Sequence, residues 1–294
     1  MPAGNDKLQM TNDRWLLSRL SCGAKQEFVI CNLSSVILMH CHCDYHTHPQ
    51  GHAVRPYTIE LLQPWIDRCR ERKIESIAFT DHDRYRDGVD FEVIDQLRAI
   101  NPDIEILVGI ELDNDPVTGK DGLHWVETHW DRLDFVLGSI HYLPNASRMF
   151  DGADQAGQLH ALGFERAYEE YREQLSALIR RGLIDCLSHL DLIKIHKLIP
   201  TTYDAAQFFE PILAQIAAAG LAMEVNTAGW RKPVGEQYPA ESILRAALAR
   251  KIPITISSDA HSYAQVGEDY ARLEPLVEHV GLDNPVRFWR HHQR

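Results

Sequence analysis

The chain is short of cations. Its 30 Lys and Arg stand against 42 Asp and Glu, a formal net charge of −12. Tight, salt-dependent binding to a nucleic-acid duplex needs a cationic surplus, so the balance argues against it. A small phosphorylated substrate stays open, because metal ions can supply positive charge locally. The six cysteines (Cys22, Cys31, Cys41, Cys43, Cys69 and Cys186) form no CxxC pair and no dense small-scaffold spacing. Reduced thiols in a cytoplasmic protein are the expectation, with Cys41 and Cys43 as buried strand residues rather than soft metal ligands. No apolar run is long enough to span a bilayer, since the stretch from Phe28 to Met39 is broken by Asn32, Ser34 and Ser35. No Gly-rich dinucleotide or P-loop fingerprint follows an apolar run. No Ser or Cys nucleophile motif stands out, and no linker divides the chain. What remains is 294 residues, 45% apolar and 24% charged, an ordinary composition for one globular domain with a real core.

Short apolar, β-branched runs recur along this domain at residues 36–39, 76–79, 104–110, 135–140, 184–188, 221–225 and 252–256. Runs of this kind suit parallel strands buried on both faces. Amphipathic stretches at 58–72, 164–181, 205–219 and 240–250 lie between them. Strand and helix in alternation imply βα units and a parallel sheet. Seven strands point to a distorted (β/α)7 TIM-like barrel, with an open doubly wound sheet as the rival. Residues 1–35 resemble no barrel unit and are expected to be a partly disordered extension ahead of a single catalytic domain at 36–294.

The informative feature is how each run ends. The first leads into Asp44-Tyr45-His46-Thr47-His48, with His52 close behind. The next ones end in Thr80-Asp81-His82, Gly109-Ile110-Glu111, Gly138-Ser139-Ile140-His141 and Ser188-His189. The sixth gives Glu224-Val225-Asn226, and the seventh Ser258-Asp259-Ala260-His261. In a parallel barrel the active site forms at the C-terminal strand ends. Residues two apart in a strand share a face, so His46 with His48, and Asp259 with His261, can each reach one ion. Imidazole with carboxylate suits Zn²⁺, Mn²⁺ or Fe²⁺. His46, His48, His52, His82, Glu111, His141, His189, Asp259 and His261 are more ligands than one ion needs, which implies two or three divalent ions. A lone HxH or DxH is weak evidence; the same chemistry at successive strand ends is hard to arrange by chance. His124, His129, His160, His279, His291 and His292 fall on expected helices, loops or a polar C-terminal tail and are expected to be ordinary structural residues.

These motifs resemble the PHP (polymerase and histidinol-phosphatase) superfamily, and specifically its histidinol-phosphatase branch. The likeness runs from about Asp44 to Tyr263. The branch is carried by Gly-Ser-Ile-His at 138–141, Ser-His-Leu-Asp-Leu-Ile-Lys at 188–194 and the stretch at 224–238. The resemblance implies a trinuclear site: His46, His48, Glu111 and Asp259 on one ion, His52, His82 and His261 on a second, and Glu111, His141 and His189 on the third. It also implies hydrolysis of L-histidinol phosphate to L-histidinol. Such chains commonly begin just before the first HxH, and Met39 stands where that start would fall. The residues before it are then an added extension or an early start assignment.

The expected chemistry is direct hydrolysis by a hydroxide held between metal ions. Arg231 and Lys194 are the candidate phosphate cations, with Arg the better bidentate partner. Asp81, Asp191 or a metal-bound water is the candidate acid for the leaving alkoxide. Asp83, Asp113 and Glu236 are candidates to meet the substrate's ammonium and imidazole. The segment 142–163 reads as a lid or specificity loop, or else as a mobile connector. The rivals are a relative acting on nucleotides or phosphosugars, a metal-dependent amidohydrolase, and a non-catalytic metal-binding support domain.

Overall fold

The computed structural model describes residues 42–282 and 285–288. The expected extension at 1–35, the run at 36–39, Cys41 and the tail histidines lie outside the described residues. Within them, seven parallel strands stand in sequence order. They are β1 (Cys43–Asp44), β2 (Ser76–Phe79), β3 (Glu105–Leu112), β4 (Phe135–Gly138), β5 (Cys186–Leu187), β6 (Ala222–Asn226) and β7 (Ile254–Ser257). The helices are α1 (Ile59–Arg72), α2 (Phe91–Ile100), α3 (Gly119–Thr128), α4 (Ala156–Leu162), α5 (Phe164–Arg181), α6 (Ala205–Ala219), α7 (Glu241–Ala249) and α8 (Tyr270–Val280). The Thr58 side chain caps α1 by accepting from Leu61 N, and the Asp204 side chain caps α6 by accepting from Gln207 N. No described helix is long and apolar enough to cross a membrane.

The sheet curls until its first and last strands meet. Thr47 bridges Ala260 in parallel, with His48 N donating to Ala260 O at 2.7 Å and Ala260 N to His46 O at 3.2 Å. Asp44 fastens the seam. It accepts from Ser258 N at 2.9 Å, Ser258 Oγ at 2.5 Å and Gly267 N at 2.9 Å. The open-sheet rival is thereby excluded. The specificity-loop segment carries α4 and is fastened, since Phe150 N donates to His141 O at 2.9 Å.

Strand parity divides the barrel. On β3, Ile106, Val108, Ile110 and Leu112 join the outer core beneath the helices, while Leu107 joins an inner cluster with Tyr45, Ala78, Phe135, Leu137, Cys186, Ala222 and Phe288. That inner cluster fills the N-terminal end of the barrel. Phe288 enters it from the C-terminal segment and packs on Phe135 with ring centroids 4.4 Å apart. Val286 N reaches Ile254 O at 2.7 Å and Phe288 N reaches Tyr45 Oη at 3.2 Å. Gly109 lets β3 and β4 approach closely, because a Cβ there would stand 2.3 Å from Phe135 O.

Candidate metal centre

Two to four residues further up each inward column, the apolar filling gives way to ligand chemistry. Leu107 is followed by Gly109 and Glu111, Phe135 and Leu137 by Ser139 and His141, and Ala222 by Glu224. Glu111 is fully buried at the centre. Its Oε1 lies 3.3 Å from His46 Nε2, 3.3 Å from His189 Nε2 and 3.7 Å from His141 Nε2. Its Oε2 lies 2.8 Å from His82 Nδ1 and 3.6 Å from His48 Nε2. Asp259 Oδ1 approaches His48 Nε2 at 3.3 Å and His46 Nε2 at 3.8 Å. Asp259 adopts a positive φ of 53° just after β7. Asp tolerates this left-handed conformation better than most residues, and here it turns the carboxylate into the mouth.

Four triads have potential ligand atoms within 4.8 Å of one another: His48, His82 and His261; His46, Glu111 and His189; His46, His48 and Asp259; His82, Glu111 and His141. No three of these are mutually disjoint, so a third ion would require sharing, for which Glu111 has its two oxygens turned to different imidazoles. His52 belongs to none of the four. It is exposed and stacks over His261 at 4.6 Å, while His48 takes the inner place beside His82 and His261.

The donor set fits divalent cations. His46 Nε2 and both ring nitrogens of His48 are buried without a hydrogen-bond partner. Leaving buried polar atoms unpaired costs about 1–3 kcal/mol each, and several clustered together are what a ligand site looks like before its ligand. Two of the imidazoles are held neutral. Burial pushes the His48 imidazole down to about 4, and burial, aided by His48, pushes His261 to about 3, so both keep lone pairs at neutral pH. Burial would raise the Glu111 carboxyl, but His82, His46 and His141 together hold it well below the usual range.

Sequence reasoning missed the groups that aim these ligands. Glu224, 178 residues from His46, holds its Nδ1 at 3.1 Å. The same carboxylate accepts from His189 N at 2.7 Å and Asn226 Nδ2 at 2.8 Å, and from Ser257 Oγ. Asp113 Oδ2 lies 3.0 Å from His141 Nδ1 and pairs with Arg84. A carboxylate on the far nitrogen fixes tautomer and ring orientation and leaves the near nitrogen for a metal. The signal for Glu224 was its inward parity with Asn226; nothing local singled out Arg84.

The candidate cations and acids outside this cluster are engaged within the protein. Lys194 Nζ is met by Asp191 Oδ2 at 2.8 Å, Glu236 Oε2 at 2.7 Å and Gln237 O at 2.9 Å, which fills its three donors and leaves none for phosphate. Glu236 is correspondingly engaged, and buried Asp113 serves His141 and Arg84 rather than a substrate cation. Asp83 is also buried, hard against Gly122. Arg231 donates to Ser258 O at 2.5 Å and pairs with Glu268 and Asp269 at 3.2 Å, beside Asp259 but already engaged. Asp81 accepts from Tyr57 Oη at 2.7 Å and Gln50 N at 3.0 Å, so it braces the loop after His48. Burial pushes its carboxyl up to about 7.

A PHP domain family model matches residues 40–228. The chain belongs to the PHP domain family. A protein named as a probable histidinol-phosphatase from Deinococcus radiodurans is 31% identical over 258 residues, covering 81% of this chain and 94% of that one. The histidinol-phosphatase of Bacillus subtilis is 24% identical, covering 79% and 95%. The histidinol phosphate phosphatase of Lactococcus lactis, solved with Zn, L-histidinol and phosphate, shares the fold with a TM-score of 0.64 at 20% identity, covering 85% of this chain and 97% of that one.

Proposed function

We propose that this chain is a metal-dependent histidinol-phosphatase that hydrolyses L-histidinol phosphate to L-histidinol and phosphate. The observation that carries the reading is Glu111, buried among His46, His48, His82, His141 and His189, several of whose ring nitrogens lack any protein partner. Relatives with histidinol-phosphatase activity in their names, spanning nearly their full length, supply the substrate class. In this reading His46, His48, Glu111 and Asp259, with His82, His261, His141 and His189, hold two or three Zn, Mn or Fe ions, and His52 closes the solvent side.

When bound, such ions neutralise charge on phosphoryl oxygens and make a water more acidic. The side chains do the rest. Glu111 offers one oxygen to each half of the cluster. Glu224 and Asp113 keep His46 and His141 in the tautomer whose inner nitrogen faces the mouth. Burial keeps bulk water out, so charges in the mouth act strongly on one another. Arg231, which donates to Ser258 O next to Asp259, is the candidate cation for the phosphate and must release an acidic partner to reach it. Lys194 instead braces the loops after β5 and β6.

The test is phosphate release by purified, metal-loaded protein from L-histidinol phosphate, nucleoside monophosphates and sugar phosphates. A strong preference for L-histidinol phosphate is expected. Preference for nucleotides would replace the substrate, and no turnover on any ester with metal bound would favour a support role.

A further inference from the structure

Beside the metal cluster lies a second group of buried atoms without partners. The Tyr238 side chain is 1% exposed and its hydroxyl has no hydrogen-bond partner. Its ring stands edge-on to His189 at 6.2 Å and under Lys194 Nζ at 5.4 Å, so it forms the wall between the cluster and the loop after β5. Asp191 is fully buried. Its Oδ2 serves Lys194 and Ala240 N, while its Oδ1 has no partner. Asp151 Oδ1 is buried and unpartnered as well. Its place is set by its neighbour Phe150, which is tied to His141 O through its own N–H at 2.9 Å and to His196 Nε2 through its carbonyl at 2.8 Å. Asp151 and Asp191 both lie within electrostatic reach of Tyr238. The hydroxyls of Tyr168 and Tyr203, whose rings are 5.0 Å apart, continue the unpartnered lining behind Asp191.

We propose that Asp151, Asp191 and the Tyr238 hydroxyl form a subsite for a protonated nitrogen of the substrate. The subsite rests on the phosphatase reading of the Glu111 cluster and deepens it. Unpaired buried acceptors are costly, and native structures leave them for a ligand or an ordered water. Here the lining is carboxylate and hydroxyl, and Lys194 offsets one of the three carboxylates Asp151, Asp191 and Glu236. The surplus is negative. A group rich in N–H donors and bearing positive charge, an ammonium or imidazolium, satisfies it, whereas a phosphate is repelled and a neutral sugar hydroxyl leaves the charge without an opposite. The negative subsite lies next to a cluster that holds cations when loaded, so a monoester with phosphate at one end and a basic nitrogen at the other is oriented in one direction only.

The experiment compares metal-loaded wild type with Asp151→Asn and Tyr238→Phe, both near-isosteric, with melting temperatures to confirm folding. Calorimetry measures binding of L-histidinol, and kinetics compare L-histidinol phosphate with p-nitrophenyl phosphate, which has no basic nitrogen. Charge-assisted hydrogen bonds of this kind are worth about 10- to 100-fold. Asp151→Asn is expected to weaken L-histidinol binding and raise KM for L-histidinol phosphate by that amount, with p-nitrophenyl phosphate turnover unchanged within about twofold. Tyr238→Phe should act in the same sense but less strongly. L-Histidinol binding equally well to both variants, or failing to bind wild type, overturns the subsite, as does an equal loss on both esters. If wild type releases phosphate from no ester, the phosphatase reading fails, and the calorimetry still decides the subsite alone.

Discussion

The two ends of this barrel are made from the same inward columns of side chains and meet burial in opposite ways. At the N-terminal end, Leu107, Phe135, Leu137, Ala78 and Ala222 close on Tyr45 and Phe288, and the one hydroxyl of that group, on Tyr45, is paired with the Phe288 backbone. That end is complete as protein. Two to four residues further along, the columns carry Glu111, His141 and Glu224, and His46 Nε2 and both ring nitrogens of His48 are buried without a hydrogen-bond partner. That end is complete only with cations. A fold can thus keep its most unsatisfied atoms a few ångströms from its driest packing, because parity and height along the strand separate the two.

The largest expected effect comes from removing the cations. Exhaustive chelation should abolish turnover and lower thermal stability while leaving the barrel folded. A ligand at about 100 times its Kd stabilises by about 2.7 kcal/mol, or roughly 5–10 °C in Tm for a domain of this size. Calorimetry and metal analysis on the same samples check it. A chelated protein with unchanged Tm and activity would mean that the upper end, like the lower, is complete without metal.

Next is Glu111→Gln. The amide keeps the shape but loses the charge and one acceptor oxygen, so the two halves of the cluster lose their shared ligand. Turnover should fall by on the order of 10³-fold, with at least one ion lost from the metal count. Glu224→Gln should be milder, about 10- to 100-fold in metal affinity measured against a competing chelator, because it disturbs the orientation of His46 rather than a ligand itself. Equal effects from the two would erase the distinction between ligand and brace.

How much of this the sequence disclosed follows the same division. The strand runs at 76–79 and 221–225 and the helix at 164–181 were legible because hydrophobic period is local. The ligands were legible because HxH and DxH sit two apart at strand ends. Roles set by a partner far along the chain were not. Lys194 and Arg231 read as free cations, since nothing nearby announces that Glu236, Gln237 O and Ser258 O will meet them. Glu224 could not be told from a ligand, nor Asp113 from a partner for the substrate's cation, because bracing is decided by which imidazole lies opposite. Helices α2, α3 and α8 went unremarked, being short and weakly patterned, and the plug formed by Phe288 was hidden in what reads as a polar tail.

The smallest expected effect on turnover, and the sharpest test of the contrast, is Phe288→Ala at the lower end. Removing a buried Phe leaves a cavity beside Tyr45 and Phe135, and the terminal segment can relax only in part. The cost should be about 3 kcal/mol, the low end of the range for such a truncation, or roughly 6–12 °C in Tm. Metal content and kcat at low temperature should stay within about twofold of wild type, because every proposed ligand lies above the altered layer. Tyr45 supplies the most direct route of communication, since it touches Phe288 and directly precedes His46. If Phe288→Ala instead weakens metal affinity by more than about tenfold, which is about 1.4 kcal/mol, then Tyr45 transmits the plug's packing to His46. In that case the two ends are one cooperative unit, with the aromatic layer serving as the floor on which the ligands stand.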